Sequence, residues 1–316
     1  MLRCSFCGRK PVYNRRYAGV LLCDRCMLKS VERRFRRAIN ENKLISPGER
    51  VAVAVSGGKD SVTCMHLLEN YCREKRCELV AITVDEGIKG YREESLSAAK
   101  ENAEALGVKH HVISFEKAFG SKLDTMTKRA IKKRTGLNPC TYCGVLRRSI
   151  LNQAGRELGA DKLATGHNLD DETQAIMLNY VRADLSRLYR LGPSYSPREG
   201  FVPRIKPLRN IPEKEVAIYA LLKGLNVHLG VCPYASGMHT EIRDFLNRLE
   251  TNHPNSKFMI LRMFEQIKPH LTNVLPDFEM RKCENCGEPT SSKLCKTCEL
   301  LQGLGLKNKR KILIST

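Results

Sequence analysis

Between residues 51 and 166 four short apolar runs recur at the spacing of a strand–helix–strand repeat: "VAVAV" (51–55), "ELVAITVD" (78–85), "KHHVISF" (109–115) and "DKLATG" (161–166). The segments between them carry helical patterns, through about residue 74, over 92–106 and over 144–158 ("GVLRRSILNQAGREL"), with a basic helical insertion before the last. Apolar strands alternating with amphipathic helices must be covered on both faces, which predicts an α/β fold with a doubly wound parallel sheet. Ligands in such a sheet gather in the loops at the carboxyl ends of the strands. A further helix is expected over "DETQAIMLNYV" (171–181), and others over 213–223 and 239–268. Residues 183–212 hold Pro193, Pro197, Pro203, Pro207 and Pro212 and read as a loop.

Cysteine modules flank this core. Cys4-x-x-Cys7 and Cys23-x-x-Cys26 are separated by fifteen residues; Cys283-x-x-Cys286 and Cys295-x-x-Cys298 are separated by eight. Two such knuckles brought together make a closed four-thiolate site, the pattern of a structural zinc ribbon. Each end is therefore expected to bind one Zn2+, without which a module with so little core of its own unfolds. The expected division is an N-terminal zinc module (1–26), a basic helix and linker (27–50), a catalytic domain (51–276), and a C-terminal zinc module with a basic tail (277–316). The helix, placed at 27–45, has Leu28, Val31, Phe35 and Ile39 on one face and arginines on the other. "SPGER" (46–50) closes the linker.

The chain holds 54 basic and 34 acidic side chains, a net charge of +20. The cations cluster in "ERRFRRAIN" (32–40), "KRAIKKR" (128–134), Arg147 with Arg148, and "KNKRK" (307–311), which favours a polyanionic partner such as nucleic acid. No apolar run approaches the roughly 20 residues of a membrane span, and "MLRCSFCGRK" has no signal-like stretch, so a cytoplasmic protein without membrane contact is expected. Fourteen cysteines in that setting indicate metal or redox chemistry rather than disulfides. Cys64, Cys72 and Cys77 have no partner spacing and read as core or incidental.

The first strand runs into Ser56-Gly57-Gly58-Lys59-Asp60-Ser61 and then into a helix. This is not a Walker A loop, but the physics is related: glycines turn backbone N–H groups toward an anion, and the helix start adds positive potential. Lys59 supplies charge, Ser61 a hydroxyl, and Asp60 a carboxylate that can hold Mg2+. SGGKDS resembles the signature of the PP-loop ATP pyrophosphatases, which cleave ATP between the α and β phosphates. "ATGHNLDDETQAIMLNYVR" (164–182) resembles the second hallmark of the members that thiolate tRNA. With the cysteine modules, essentially the whole chain looks like a tRNA 2-thiouridine synthetase of the TtuA type.

The resemblance implies roles position by position. Ser56 to Ser61 would cradle the phosphates of ATP. Ala54 and Val84, at the ends of the first two strands, would frame the adenosine. Gly166 would approach the nucleotide, Arg147 would reach the phosphates, and Asp171 would be the catalytic carboxylate. Lys59 and Asp60 join it as catalytic candidates. Asp170 and His167 are weaker candidates, since "NLDDE" also reads as a helix cap. It further implies that Cys140 and Cys143 of "LNPCTYCGVL" (137–146), with Cys232 of "GVCPYASG" (230–237), hold a [4Fe–4S] cluster with one open iron. A persulfide pair at Cys140 and Cys143 is the competing reading, and buried structural thiols a third; Pro139 and the polar flanks place the two cysteines in a loop.

The activity implied is ATP-dependent sulfur insertion at uridine C2, with uridine 54 of the T loop as the expected target and the wobble uridine 34 as the alternative. An amidating PP-loop ligase and a zinc-ribbon RNA-binding scaffold without catalysis are the rivals. The partners implied are tRNA and a small ubiquitin-like sulfur carrier with a C-terminal thiocarboxylate, with homodimerisation left open. The charge sets a first prediction. With six to ten phosphates contacted, tRNA affinity should fall by roughly 10³–10⁵ between 50 and 200 mM salt, and a flat titration would refute the basic footprint.

Overall fold

The chain enters through a hairpin, β1 (Tyr13–Arg15) and β2 (Val20–Leu22), and continues into α1 (Asp24–Glu41). The computed structural model describes residues 2–194, 199–235, 237–274 and 280–308; Pro197, residues 277–279 and the basic tail from residue 309 onward lie outside them. Then follow β3 (Arg50–Ala54), α2 (Lys59–Lys75), β4 (Glu78–Asp85), α3 (Arg92–Ala105) and β5 (Lys109–Ser114). Two short helices, α4 (Phe115–Phe119) and α5 (Leu123–Lys132), lead to the long α6 (Pro139–Glu157). After β6 (Lys162–Thr165) come α7 (Leu169–Val181), α8 (Leu185–Tyr189), the two-residue β7 (Arg204–Ile205) and α9 (Glu213–Leu222). The chain ends in α10 (Met238–Asn252), α11 (Ser256–Ile267), a hairpin of β8 (Arg281–Lys282) and β9 (Pro289–Thr290), and α12 (Lys296–Gly303).

Five strands form one parallel sheet in the order β5-β4-β3-β6-β7. From β3 the chain winds outward through β4 and β5, then returns to the other side of β3 as β6 and β7. The order reverses between β3 and β6, so a crevice opens there at the carboxyl ends. Alternation along β3 serves two cores. Val51 and Val53 face a cluster with Phe35, Leu68, Val216 and Tyr219, whereas Ala52 faces one with Ile82, Leu146, Ile150 and Leu301. Leu22, Met27 and Val31 of the N-terminal segment belong to the first core, and Leu300, Leu301 and Leu304 of α12 to the second.

The structure revises several boundaries. The arginine-rich helix begins at Asp24 rather than 27, with Cys23 as its cap. The single helix expected over 239–268 is two, parted at His253-Pro254-Asn255, where Asn255 takes a φ of 89°. The 183–212 segment contains α8 and the fifth strand, too short to show a period. The helix expected from residue 144 starts at Pro139, with the Asn138 side chain accepting a bond from the Cys140 N–H. Proline at the first helical position costs no hydrogen bond and comes with a helical φ. Cys140 and Cys143 thus lie in a helical first turn and not in a loop. No helix among the described residues is long and apolar enough to cross a membrane.

A buried ion pair joins the N-terminal hairpin to α9. The Arg15 guanidinium donates to both Glu215 carboxylate oxygens, at 2.8 and 2.6 Å, and to Ser30 Oγ at 2.9 Å. Glu215 is fully buried and also accepts from the Tyr17 hydroxyl. Glu215→Ala would leave Arg15, 5% exposed, without its counter-charge. The expected cost is about 3–5 kcal/mol in equilibrium unfolding. A loss below about 1 kcal/mol would mean that the pair does not anchor the hairpin.

Candidate functional site

Two loops line the crevice between β3 and β6. The first, Ser56–Ser61, is shaped by close packing. Gly57 has a φ of 87°, and a Cβ there would come within 1.9 Å of the Ser95 carbonyl oxygen on α3. Only glycine fits. Ser61 Oγ accepts from the Ser56 N–H and donates to the Gly58 carbonyl, both at 3.0 Å, so the loop is tied across its base. The buried Arg92 holds the loop from beneath. It donates to the carbonyls of Ser56 (3.1 Å) and Val84 (2.5 Å) and pairs with Glu86 at 2.9 Å. Val84, expected to frame a ligand, therefore spends its carbonyl on Arg92; Ala54 sits half-buried at the strand end.

Lys59 and Asp60 begin α2. The Lys59 ammonium lies 2.9 Å from Asp60 and 2.6 Å from Glu213 at the start of α9. Asn168 donates to the other Asp60 oxygen at 3.0 Å. Burial raises the Asp60 carboxyl, with Lys59 and Asn168 pulling against it. Glu213 and Asn168 escaped sequence reasoning. Asn168 had a signal, because an asparagine followed at the third position by an acidic residue is a capping pattern.

The second loop follows β6. A Cβ on Gly166 would meet the backbone of Asp60 and Ser61 at 2.8–2.9 Å, so this glycine lets the two loops touch, a need independent of any ligand. Asn168 caps α7, accepting from the N–H groups of Asp170 and Asp171, while the Asp171 carboxylate accepts from the Asn168 N–H at 3.0 Å. Asp170 is engaged structurally, pairing with Lys257 and accepting from the Glu213 N–H at 2.8 Å. Among the described residues Asp171 has no cation partner. Burial pushes its carboxyl up to about 7, helped by the charges of Asp60, Glu213 and Asp170 and opposed by the Asn168 N–H. His167, which meets Thr165 Oγ1 at 2.8 Å, is driven below the usual histidine range by desolvation of its ring and then by Lys206, Arg147, Arg204 and Arg148.

The thiols lie beside this crevice. Cys140, Cys143 and Arg147 follow one another along one side of the first turns of α6. Arg147, expected at the phosphates, stands 3.5 Å from Glu86; burial pushes the Cys143 thiol up to about 11, with Arg147 pulling against it. Cys140 Sγ donates to the Tyr234 carbonyl at 3.2 Å, bringing the Cys232 segment onto α6. Burial, and then the Cys232 charge, raise Cys140. Cys143, Cys232 and Tyr234 all pack against the second core. The three cysteines are thus neighbours.

Their spacing differs from that of the terminal sets. Cys4, Cys7, Cys23 and Cys26, and likewise Cys283, Cys286, Cys295 and Cys298, place all four sulfurs within 4.8 Å of one another, and among the described residues only these two sets do so. That matches the roughly 3.8 Å between thiolates around one tetrahedral zinc. Each end module therefore offers a closed metal site. Cys64 and Cys72 are buried core thiols.

Comparison with known proteins places these features in context. A family model described as a PP-loop domain (ATP_bind_3) matches residues 27–228. The tRNA 2-thiolation protein NcsA of Haloferax volcanii is 38% identical over 96% of this chain and 99% of its own length. The cytoplasmic tRNA 2-thiolation protein 1 of Caenorhabditis elegans is 34% identical over 96% and 81%. A solved structure described as the U34-tRNA thiolase NcsA from Methanococcus maripaludis with its [4Fe-4S] cluster aligns at a TM-score of 0.84, with 35% identity over 98% of this chain and 99% of that one.

Asp171 yields a prediction about stability. Its folded value near 7 lies above its unfolded value near 3.8, so its contribution to stability is present below about pH 4 and is lost as pH rises through 7. Asp171→Asn keeps an acceptor for the Asn168 N–H and removes that loss. The variant should melt above the wild type at pH 8, the gap closing toward pH 4. Equal melting temperatures at pH 8 would contradict the burial of this carboxyl.

Proposed function

Because the chain belongs to the PP-loop family of tRNA 2-thiolation proteins, we propose that it is an ATP-dependent sulfurtransferase that replaces the C2 oxygen of the wobble uridine, position 34, with sulfur. The observation that carries the chemistry is the meeting of Cys140, Cys143 and Cys232 beside the crevice of the SGGKDS loop. The T-loop uridine 54 expected from sequence uses the same motifs, and position 34 is favoured by the near full-length likeness to a U34-tRNA thiolase.

Three thiols without a carboxylate among them form a soft donor set suited to iron and sulfide, and one ligand short of a closed site. We assign Cys140, Cys143 and Cys232 to a [4Fe–4S] cluster, which when bound supplies an open iron that can hold sulfide deprotonated near neutral pH. Their wider spacing agrees with a group larger than a single ion. The terminal quartets are assigned to structural zinc.

The remaining steps belong to side chains. The Ser56–Ser61 loop binds the ATP phosphates through the N–H groups beyond Ser56, whose own N–H ties the loop to Ser61, and Lys59, exchanging Glu213 for phosphate oxygen, offsets the charge on pyrophosphate as it leaves. Asp60 would hold Mg2+. Uracil O2 takes the α-phosphoryl group; Arg147 stabilises the phosphate ester. Adenylation makes the uracil N3–H acidic, and Asp171, in the carboxylate form available near neutrality, takes that proton and, as the carboxylic acid, returns it once sulfide has displaced AMP from C2. The target base leaves its stack to reach this site. We place the catalysis in residues 51–276 and tRNA backbone binding in the basic helix (27–50) and the two terminal modules (1–26 and 277–316). The sulfur source is proposed to be a small ubiquitin-like thiocarboxylate protein.

The test uses protein reconstituted with iron and sulfide under anaerobic conditions, sulfide as donor, and nucleoside mass spectrometry of two tRNA transcripts. Cytidine at position 34 should abolish thiouridine, and cytidine at position 54 should leave it unchanged; the reverse would restore the T-loop reading. Replacing Cys140, Cys143 or Cys232 by Ala should remove bound iron and lower thiouridine formation by at least about 10²-fold, while ATP still binds. Full turnover without these cysteines would favour an amidating ligase.

A further inference from the structure

The segment 226–234 crosses from one core to the other over the carboxyl end of the sheet. Val227 packs on the first core, and Cys232 and Tyr234 on the second. Its start is anchored to α3. The Asn226 carbonyl accepts from Asn102 Nδ2 and its side chain donates to Glu101, both at 2.6 Å. Its end is anchored to α5 and α6, where the Tyr234 hydroxyl donates to Asp124 at 2.7 Å and the Tyr234 carbonyl accepts from Cys140 Sγ.

Midway, the segment bonds to the phosphate loop itself. The His228 N–H donates to the Gly57 carbonyl at 2.9 Å, and Gly58 and His228 pair as an isolated parallel bridge. Gly57 is the residue clamped by α3, so it offers a firm attachment. The His228 side chain is 10% exposed and fixed on three sides. Its Nδ1 lies 3.3 Å from Glu94, its ring meets Tyr91 edge-on at 5.2 Å, and Gly230 lies over it so tightly that a Cβ would fall 2.4 Å from Nε2. Gly230 and Tyr91 leave the ring little room to turn. Among the described residues its Nε2 has no hydrogen-bond partner, so the imidazole is held there by packing.

We infer that residues 226–234 form a strap that ties the position of the Cys232 sulfur to the phosphate loop, with His228 as its positioning residue. A movement of the loop at Gly58 on taking up phosphate passes through its bridge to His228, with Gly57 held by α3 as the pivot, and the wedged ring and Gly230 carry it to Cys232 four residues on. Nucleotide occupancy therefore sets where the third thiol stands against Cys140 and Cys143. This deepens the proposed function and rests on the reading that Ser56–Ser61 bind ATP.

The test follows alkylation of individual cysteines by iodoacetamide, read by peptide mass spectrometry. It uses the full-length chain with its zinc modules intact and no iron loaded. Binding of a non-hydrolysable ATP analogue with Mg2+ is measured in parallel by calorimetry. Cys77, whose sulfur bonds the Ser46 carbonyl at the amino end of the sheet, serves as the internal standard. The analogue should slow Cys232 alkylation at least about fivefold, the lower end of ordinary coupling between two sites, and leave Cys77 unchanged. His228→Ala and Gly230→Ala should still bind the analogue but lose the slowing, and His228→Gln, which can still bond Glu94, should recover most of it. Binding with an unchanged Cys232 rate in the wild type would overturn the strap. So would slowing that persists in both Ala variants, since the nucleotide would then merely shield the thiol. Absence of binding would fail the phosphate-loop reading and the strap together.

Discussion

Two backbone crossings without side chains hold the site in place. At the carboxyl end of β3, Gly57 presses on the Ser95 carbonyl; at the end of β6, Gly166 presses on the backbone of Asp60 and Ser61. A methyl group at either point would overlap main-chain atoms that have nowhere to go. These contacts bring the start of α2, the start of α7 and the start of α3 onto one crevice. A helix start carries positive potential from its unpaired N–H groups, which favours an anion nearby, although at α7 the Asp170 and Asp171 N–H groups are taken up by Asn168.

The charges around that region are arranged as a chain of ion pairs. Lys59 is shared by Asp60 and Glu213, Asp170 is held by Lys257 and by the α9 N–H, and Glu215, two residues beyond Glu213, is locked by Arg15 of the N-terminal hairpin. The hairpin between the two knuckles of the N-terminal cysteine quartet is therefore bolted to the helix whose Glu213 holds Lys59. On the opposite side, Arg92 links the loop to Glu86, and Glu86 to Arg147 beside the thiols. Partly buried pairs of this kind cost desolvation and add little net stability. What they supply is placement, holding each charged group within reach of the crevice.

Much of this was legible in the chain. The four apolar runs specified the parallel sheet, because strands buried on both faces cannot tolerate interruption. The paired knuckles specified the terminal quartets, because four ligands at short separations have few other uses. SGGKDS after a strand marked the phosphate loop. Less legible was Cys140-x-x-Cys143: proline suggested a loop, whereas Pro139 starts a helix. Asp171 was singled out over Asp170 from sequence, whereas its raised carboxyl depends on burial and on three other acids, none of which could be placed from spacing. Glu213, Asn168 and His228 were missed, since each acts through a partner more than 100 residues away.

The amino-acid sequence by itself determined the architecture and the chemical inventory. Hydrophobic period, glycine loops and cysteine pairs are local patterns, and local patterns follow from local sterics and ligand geometry. Tertiary structure alone decided the arrangement of that inventory: which carboxyl burial raises, which acids Lys59 faces, and how Cys232 comes to lie against α6. Those outcomes depend on distances across the crevice and on how far water is excluded from it. Neither quantity exists until the sheet has closed between its two layers of helices.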